Sequence, residues 1–402
     1  MSFYLVVFGY VLAWMWRVEW VTENIRLAFL ANGESVHTER WLRYFVGKGY
    51  DVHLITFTAK PIKGVKIYKL RYFGKFAYPL RIQEIKKAVK EINPDILHAH
   101  YISHYGVYAA LSGFHPLILS TWGSDITTDP ERSRMLRFFV KLALKEADLV
   151  HAGDEVMRKR LMELGCDPGK ILVQVWGVDT NRFSPKARSQ SLRRSLGIDN
   201  TYSVLCARYW KPTYRVDVFI KAIPFVLKKT KNVKFILLGG GPLEPKLKEL
   251  ARRLGVYEKI VFVGRVPEAE MPKYLASVDV YVDTLSDYRV GVFGGTVVAR
   301  GSGEMGQTTR EAMACGIPQI LSDMADVRSS DWFQGLMYKQ LDYRDLAEKI
   351  VQLLKDEKLR SKIGEESRKV VLEIYDLEKT MKPLEAVYHR LSIRTKAPCD
   401  KR

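Results

Sequence analysis

Apolar residues in this chain follow two spacings that take turns. Short runs with little polar content occupy positions 25–30, 51–57, 95–100, 117–121 and 149–152. Between them, apolar residues recur every three or four positions, as in 36–46, where Trp41, Leu42 and Phe45 fall on one helical face. The first spacing predicts buried strands and the second amphipathic helices. Further helices are expected at 81–92 and 133–146. A second alternating set starts at position 202: strands at 202–207, 233–238, 260–263 and 278–282, with helices at 216–229, 243–254 and 270–276. Helices at 311–314, 342–355, 359–377 and 381–393 close the pattern. Alternation of this kind predicts an α/β protein with parallel sheets covered on both faces. We expect two doubly wound, Rossmann-like domains, at 25–185 and 201–380, joined by a polar linker at 186–200. A C-terminal helix at 381–395 and a disordered tail at 396–402 would follow.

At 402 residues the chain is too long for one ordinary core, which agrees with two domains. The net charge of +19 is spread along the chain and points to an anionic partner: a phosphorylated substrate, a membrane surface or nucleic acid. No zinc-finger spacing or aromatic RNA-binding signature is present, so nucleic acid is not the expected partner. Cys166, Cys206, Cys315 and Cys399 are far apart and form no CxxC pair, which fits reduced thiols in a cytoplasmic protein. Residues 1–24 read as an apolar extension. Its uncharged run at 2–16 would be roughly 22 Å long as a helix, short of the ~30 Å hydrocarbon core. It reads as an interfacial anchor, a short spanning helix or the product of an upstream start codon.

The segment 301–318, GSGEMGQTTREAMACGIP, carries the most chemistry. Gly301, Gly303 and Gly306 precede the polar run Gln307, Thr308 and Thr309, and a helix follows. Glycines leave backbone N–H groups exposed, and a helix N-terminus adds free donors and a positive dipole end. Together they suit a diphosphate. Thr308 with Glu311 also spells a capping box, a purely structural use compatible with the first. The 283–306 stretch holds six glycines and reads as a long loop or lid. Polar residues cluster at other expected strand ends. Gly33, Glu34, Ser35 and His37 follow the first strand; Trp122, Gly123, Ser124 and Asp125 follow another; Arg208 and Lys211 follow the first strand of the second set. Gly239, Gly240 and Gly241, then Gly264, Arg265 and Val266, follow the next two. Neither half carries GxGxxG after its first strand, which disfavours a dinucleotide-binding dehydrogenase.

This ordered set resembles glycosyltransferase family 4. The resemblance covers residues 25–391 and rests on five segments together: REAMACGIP (310–318), LLGGGP (237–242), VFVGRVP (261–267), WGSD (122–125) and WGVDTNRFSP (176–185). It implies the GT-B architecture, two Rossmann-like domains facing across a cleft. It also implies transfer of a hexose-type sugar from a nucleoside-diphosphate sugar with retention at the anomeric carbon. The donor would lie on the second domain and the acceptor on the first. Arg208 and Lys211 would stabilise the leaving diphosphate, Glu311 would bind the ribose, and Gly306, Gln307, Thr308 and Thr309 would meet the diphosphate. Gly33 and Gly241 would allow close approach, and Arg265 and Val266 would meet the base. Trp122, Ser124 and Asp125 would serve the sugar or acceptor side, and His37 and Glu304 the chemistry. No metal or cofactor is implied; the nucleotide-sugar is the donor substrate.

Three positions depart from the family pattern. The family places a glutamate eight residues before its ribose-binding one, and here that position is Gly303, with Glu304 one residue late. The basic residue before a GVD-like step is Tyr214, so Lys211 or Arg215 would replace it. The histidine before GSD is Trp122, which can stack on a sugar but cannot take a proton. His98 and His100 are expected on opposite sides of their strand, and His151 beside the cleft. Asp279 and Asp283, four apart at the end of a strand, suggest no metal site. Two alternatives stay open on these residues: a nucleotide-sugar epimerase or hydrolase using Glu304 with His37 or His151, and a non-catalytic nucleotide-sugar-binding partner subunit. The apolar extension and the positive charge suit a lipid-linked acceptor and an anionic membrane surface, with the protein peripheral at its inner face.

Overall fold

The computed structural model describes residues 25–71, 78–286, 288–292, 295–299, 306–323 and 333–396. The extension at 1–24, most of the 396–402 tail and Glu304 lie outside these residues.

Two parallel sheets form the body. The first has seven strands: β1 (Arg26–Leu30), β2 (Asp51–Thr56), β3 (Val65–Lys69), β4 (Ile96–His100), β5 (Leu117–Ser120), β6 (Leu149–Ala152) and β7 (Ile171–Val173), in the order β3-β2-β1-β4-β5-β6-β7. The second contains β8 (Tyr202–Ala207), β9 (Val233–Leu238), β10 (Ile260–Gly264), β11 (Val280–Asp283), β14 (Gln319–Ser322) and β15 (Leu336–Tyr338), in the order β10-β9-β8-β11-β14-β15. Each order reverses direction next to its first strand, the doubly wound pattern, in which ligands bind beyond the C-terminal ends of the strands. Central strands such as Tyr202–Ala207 are apolar on both faces because helices cover both.

By contacts the chain forms two compact units. Among the described residues, one comprises 25–120, 142–150 and 384–396; the other comprises 121–141 and 151–383. In the first unit, Phe29, Trp41, Phe45, Tyr50 and Tyr388 pack as one aromatic core. His98 and His100 belong to it. Their rings meet edge to face at 4.9 Å, and both lie against Phe29 and Trp41. They therefore share one face of β4, not opposite ones, because side chains two apart on a strand point the same way. In the second unit, the helix Val216–Lys229 packs Phe219, Ile220, Ile223 and Val226 against the sheet. On the sheet's other face, the helix Gln307–Ala314 buries Ala312, Met313 and Ala314 with Leu205 and Tyr281.

The 283–306 stretch is not a loop throughout. Residues Tyr288–Val292 (β12) and Gly295–Ala299 (β13) pair as an antiparallel ribbon. The glycines in and around both segments hide their strand character in the sequence. Among the described residues no helix is long and apolar enough to cross a membrane.

Candidate active site

The C-terminal ends of β8 and β11 lie side by side, since Val280 and Tyr281 pair with Val204 and Leu205. Arg208 leaves β8 there and meets the carboxylate of Asp283, the last residue of β11. Its Nε donates to Oδ1 at 2.8 Å and its Nη2 donates to Oδ2. The two side chains are only 10% and 6% exposed, so this is a buried ion pair. The guanidinium lies over the Tyr214 ring, 5.4 Å from its centre, and the Lys211 ammonium is 5.1 Å from the same centre. Tyr214, at the position where the family carries a base, thus gathers two cations around one ring. Arg215 is committed elsewhere: it is bidentate to Asp217 at 3.0 and 3.1 Å, and Lys221 joins the same carboxylate at 2.7 Å. Of the two residues considered as the replacement base, only Lys211 stands beside Arg208.

The helix Gln307–Ala314 starts against this pair. Gly306 is its N-cap and no side chain caps it, so the capping box expected from Thr308 and Glu311 does not form. Thr308 is one residue inside the helix, past the capping position. The first-turn N–H groups are left without a side-chain acceptor, which favours an anion. A Cβ on Gly306 would fall 2.4 Å from Nη2 of Arg208 and 2.7 Å from Nη1. The glycine is what lets cation and helix start touch. Gln307 donates from Nε2 to the Gly177 carbonyl at 3.0 Å and accepts from Arg310 at 3.2 Å. Thr309 is fully buried and donates its hydroxyl to Asp283 at 2.7 Å, so that proton is not aimed at a ligand. Glu311, two residues further along the helix, is also buried.

The remaining expected residues divide between structural roles and openness. Gly241 has φ +156°, and a Cβ there would strike the Trp210 carbonyl at 2.6 Å; its close approach is to its own domain. Arg265 is exposed and lies over the Tyr209 ring at 5.1 Å, while Val266 packs on the core with Val263 and Leu238. In the first unit, Gly33 is pressed on Thr58 and Ala59, each 2.6 Å from where a Cβ would sit, and its N–H donates to Thr56. His37 is half-buried in the first turn of the helix Val36–Gly47. Asp125 is fully buried and accepts from the Trp122 N–H at 2.9 Å, holding its own turn, whereas Ser124 is exposed. The Trp122 ring meets Trp176 edge to face at 5.4 Å. His151 is fully buried, and its Nε2 donates to the Gln174 carbonyl at 2.9 Å. Burial pushes its pKa down to about 4. A neutral ring tied to a carbonyl in this way is not a cleft-facing base.

Asp279 and Asp283 are not neighbours at one strand end. They bracket β11, and Asp279 binds the N–H and hydroxyl of Ser203 at 2.8 and 2.7 Å at the other end. Asp283 was not among the expected site residues. Its only sequence signal is a carboxylate ending a buried strand beside another that ends in a cation.

A parallel α/β fold with two cations and an uncapped helix start beyond its strand ends fits a GT-B fold that holds a diphosphate, and the family models give the class. The "Glycosyl transferase 4-like" model matches residues 26–153 and the "Glycosyl transferases group 1" model matches residues 189–370. The chain belongs to glycosyltransferase family 4. It is 25% identical over 365 residues to N-acetyl-alpha-D-glucosaminyl L-malate synthase of Bacillus anthracis, covering 85% of this chain and 90% of that one. It is 30% identical over 149 residues to a GDP-mannose-dependent alpha-(1-6)-phosphatidylinositol monomannoside mannosyltransferase of Mycolicibacterium smegmatis, 36% of each chain. In structure it is similar to HepE of Anabaena, solved in complex with UDP and glucose. The TM-score is 0.73 at 18% identity, over 91% of this chain and 100% of that one.

Proposed function

We propose that this glycosyltransferase moves a hexose-type sugar, with retention, from a nucleoside-diphosphate sugar to a lipid-linked acceptor. The observation that carries the donor half is the meeting of Arg208, with Lys211 on the same Tyr214 ring, with the uncapped start of the helix Gln307–Ala314. As the sugar–phosphate bond breaks, charge grows on the diphosphate. Fixed cations and N–H groups strengthen with that charge and lower the barrier. Glu311 is assigned to the ribose, since a carboxylate accepts two hydroxyl hydrogen bonds. The diphosphate's charge is met by side chains and helix dipole, and no metal is invoked. The lipid acceptor is supported by the mycobacterial relative's named substrate and by the net charge of +19, which suits an anionic membrane surface. On this reading the protein is peripheral at the cytoplasmic face.

A thermal-shift screen against UDP, GDP, ADP and their sugar conjugates, with the full chain and with residues 1–19 removed, tests the reading. A ligand at 100 times its Kd adds roughly 2.7 kcal/mol. The expected result is a shift with one nucleotide that disappears in Arg208→Ala and Glu311→Ala. No shift with any of them would overturn the donor assignment. A vesicle-borne acceptor that gains no sugar from the bound donor, while a soluble one does, would overturn the lipid assignment alone.

A further inference from the structure

The Arg208 guanidinium is hydrogen-bonded along one edge, with the Tyr214 ring on its face. Asp283 takes its Nε and Nη2, while Nη1 has no hydrogen-bond partner among the described residues. The Asp283 carboxylate itself is full. Oδ1 accepts from Arg208 Nε at 2.8 Å and from the Leu285 N–H at 3.0 Å; Oδ2 accepts from Arg208 Nη2 and from the Thr309 hydroxyl at 2.7 Å. Those four donors use up the lone-pair sites of a carboxylate. It is buried, at 5% exposure, so no site remains on it for a substrate hydroxyl. Its donors come from three places: the end of β8, the turn after β11, and the first turn of the helix Gln307–Ala314. Asp283 therefore ties the cation to the start of that helix.

A carboxylate beside an anion-binding cation weakens the field felt by the anion, so its presence calls for a compensating use. A bare arginine has several rotatable bonds and five donors, and a bidentate carboxylate fixes both the plane and the free edge. Here the fixed edge runs along Gly306, where Nη1 would lie 2.7 Å from a Cβ. We propose that Asp283 is a positioning residue for the donor site, holding Arg208 by one edge so that its Nη1 edge meets the diphosphate beside the helix start. On the same geometry, Thr309 is part of this brace and not a diphosphate donor. The proposal rests on the assignment of Arg208 to the donor diphosphate.

The test is binding to the full-length protein, by calorimetry for UDP and GDP and by ligand-observed NMR for uridine and guanosine. The expected result for Asp283→Asn is a loss of about tenfold or more in affinity for the diphosphate that the wild type prefers. Affinity for the matching nucleoside, which does not reach Arg208, should stay within about twofold. Arg208→Ala and Arg208→Ala/Asp283→Asn should then bind the diphosphate equally, because the brace has nothing left to hold. Diphosphate binding by Asp283→Asn that is unchanged or tighter would overturn the proposal and make the carboxylate a competitor for Arg208. Equal losses for nucleoside and diphosphate would overturn it in favour of a purely structural role. If neither diphosphate binds the wild type, the donor assignment falls and this proposal with it. Thr309→Val removes one donor to the brace and leaves the ion pair. It should lose diphosphate affinity by about threefold with nucleoside affinity intact, and it decides the question if Asp283→Asn does not fold. No loss in Thr309→Val would then overturn the proposal.

Discussion

Two clusters of buried polar groups, one in each unit, are built to opposite ends. In the first, His98 is fully buried among aromatic rings; its two nitrogens lie 2.5 Å from the Tyr388 hydroxyl and 2.7 Å from that of Ser120. Both nitrogens are used inside the core, and the ring carries no spare edge. Burial likewise holds the Tyr388 phenol well above its usual pKa, so it keeps its proton. In the second, the Arg208–Asp283 pair is also buried, yet its carboxylate is saturated and its cation is not. A closed network specifies a fold. A network that ends on an unused donor edge at a helix start is fit for a ligand. The difference shows why residue type alone misleads: His98, His100 and His151, the usual acid–base types, are buried in core contacts, and the open donor edge belongs to an arginine with a carboxylate behind it.

The comparison can be broken most severely at Arg208. Arg208→Ala should lower transfer by 10²- to 10³-fold, measured with the nucleotide-sugar that gives a thermal shift. It should also lower the free energy of unfolding by roughly 3 kcal/mol, because it strands a buried carboxylate. Adding Asp283→Asn should restore much of that stability and none of the transfer, as read by urea unfolding and turnover together. His98→Leu should do the reverse. Leaving the hydroxyls of Tyr388 and Ser120 without their ring should cost roughly 2–4 kcal/mol, with nucleotide affinity of the folded protein unchanged.

His151 sharpens the same contrast through pH. Its folded pKa, about 4, lies below its ordinary 6.5, so the unfolded chain takes the proton first as pH falls. Its contribution to stability is full above about pH 6.5 and is lost as pH drops toward 4. Between pH 7 and 5 the loss should be about 2 kcal/mol, and His151→Gln should flatten that slope in urea titrations at each pH. Gly306→Ala drives a methyl into the guanidinium and should weaken nucleotide binding about tenfold, near 1.4 kcal/mol by calorimetry. The smallest effect is expected at Arg182, whose exposed bidentate pair with Glu268 should be worth at most about 1 kcal/mol to unfolding and nothing to binding.

Most of the two sheets was legible before any coordinates, because strands buried on both faces write themselves as apolar runs. Tyr202–Ala207 and Val233–Leu238 match their expected limits. The missed strands are those that lack such runs. Val65–Lys69 is an edge strand with exposed lysines, Ile171–Val173 and Leu336–Tyr338 have three residues each, and β12 and β13 contain glycine. At the site, Arg208 and Lys211 were legible from their place after the first strand of the second set, and the helix start from the glycines before it, since glycine and charge there are written in the chain. They did not separate Asp279 from Asp283. The two differ only in which end of β11 each occupies, and that is a property of strand register. The histidine pair on β4 was legible in principle, and the error lay in treating a two-residue step as a change of face.

Tyr388 has one more consequence. Its ring fills the core of the first unit against Phe45 and Tyr50, yet in sequence it follows the whole of the second unit. A ribosome adds about 5–20 residues each second, so the strands and helices of residues 25–120 wait many seconds for their last core side chain. During that interval His98 and its aromatic neighbours line an unfilled slot. The unit whose strands are made first is therefore completed only after the second unit has been made.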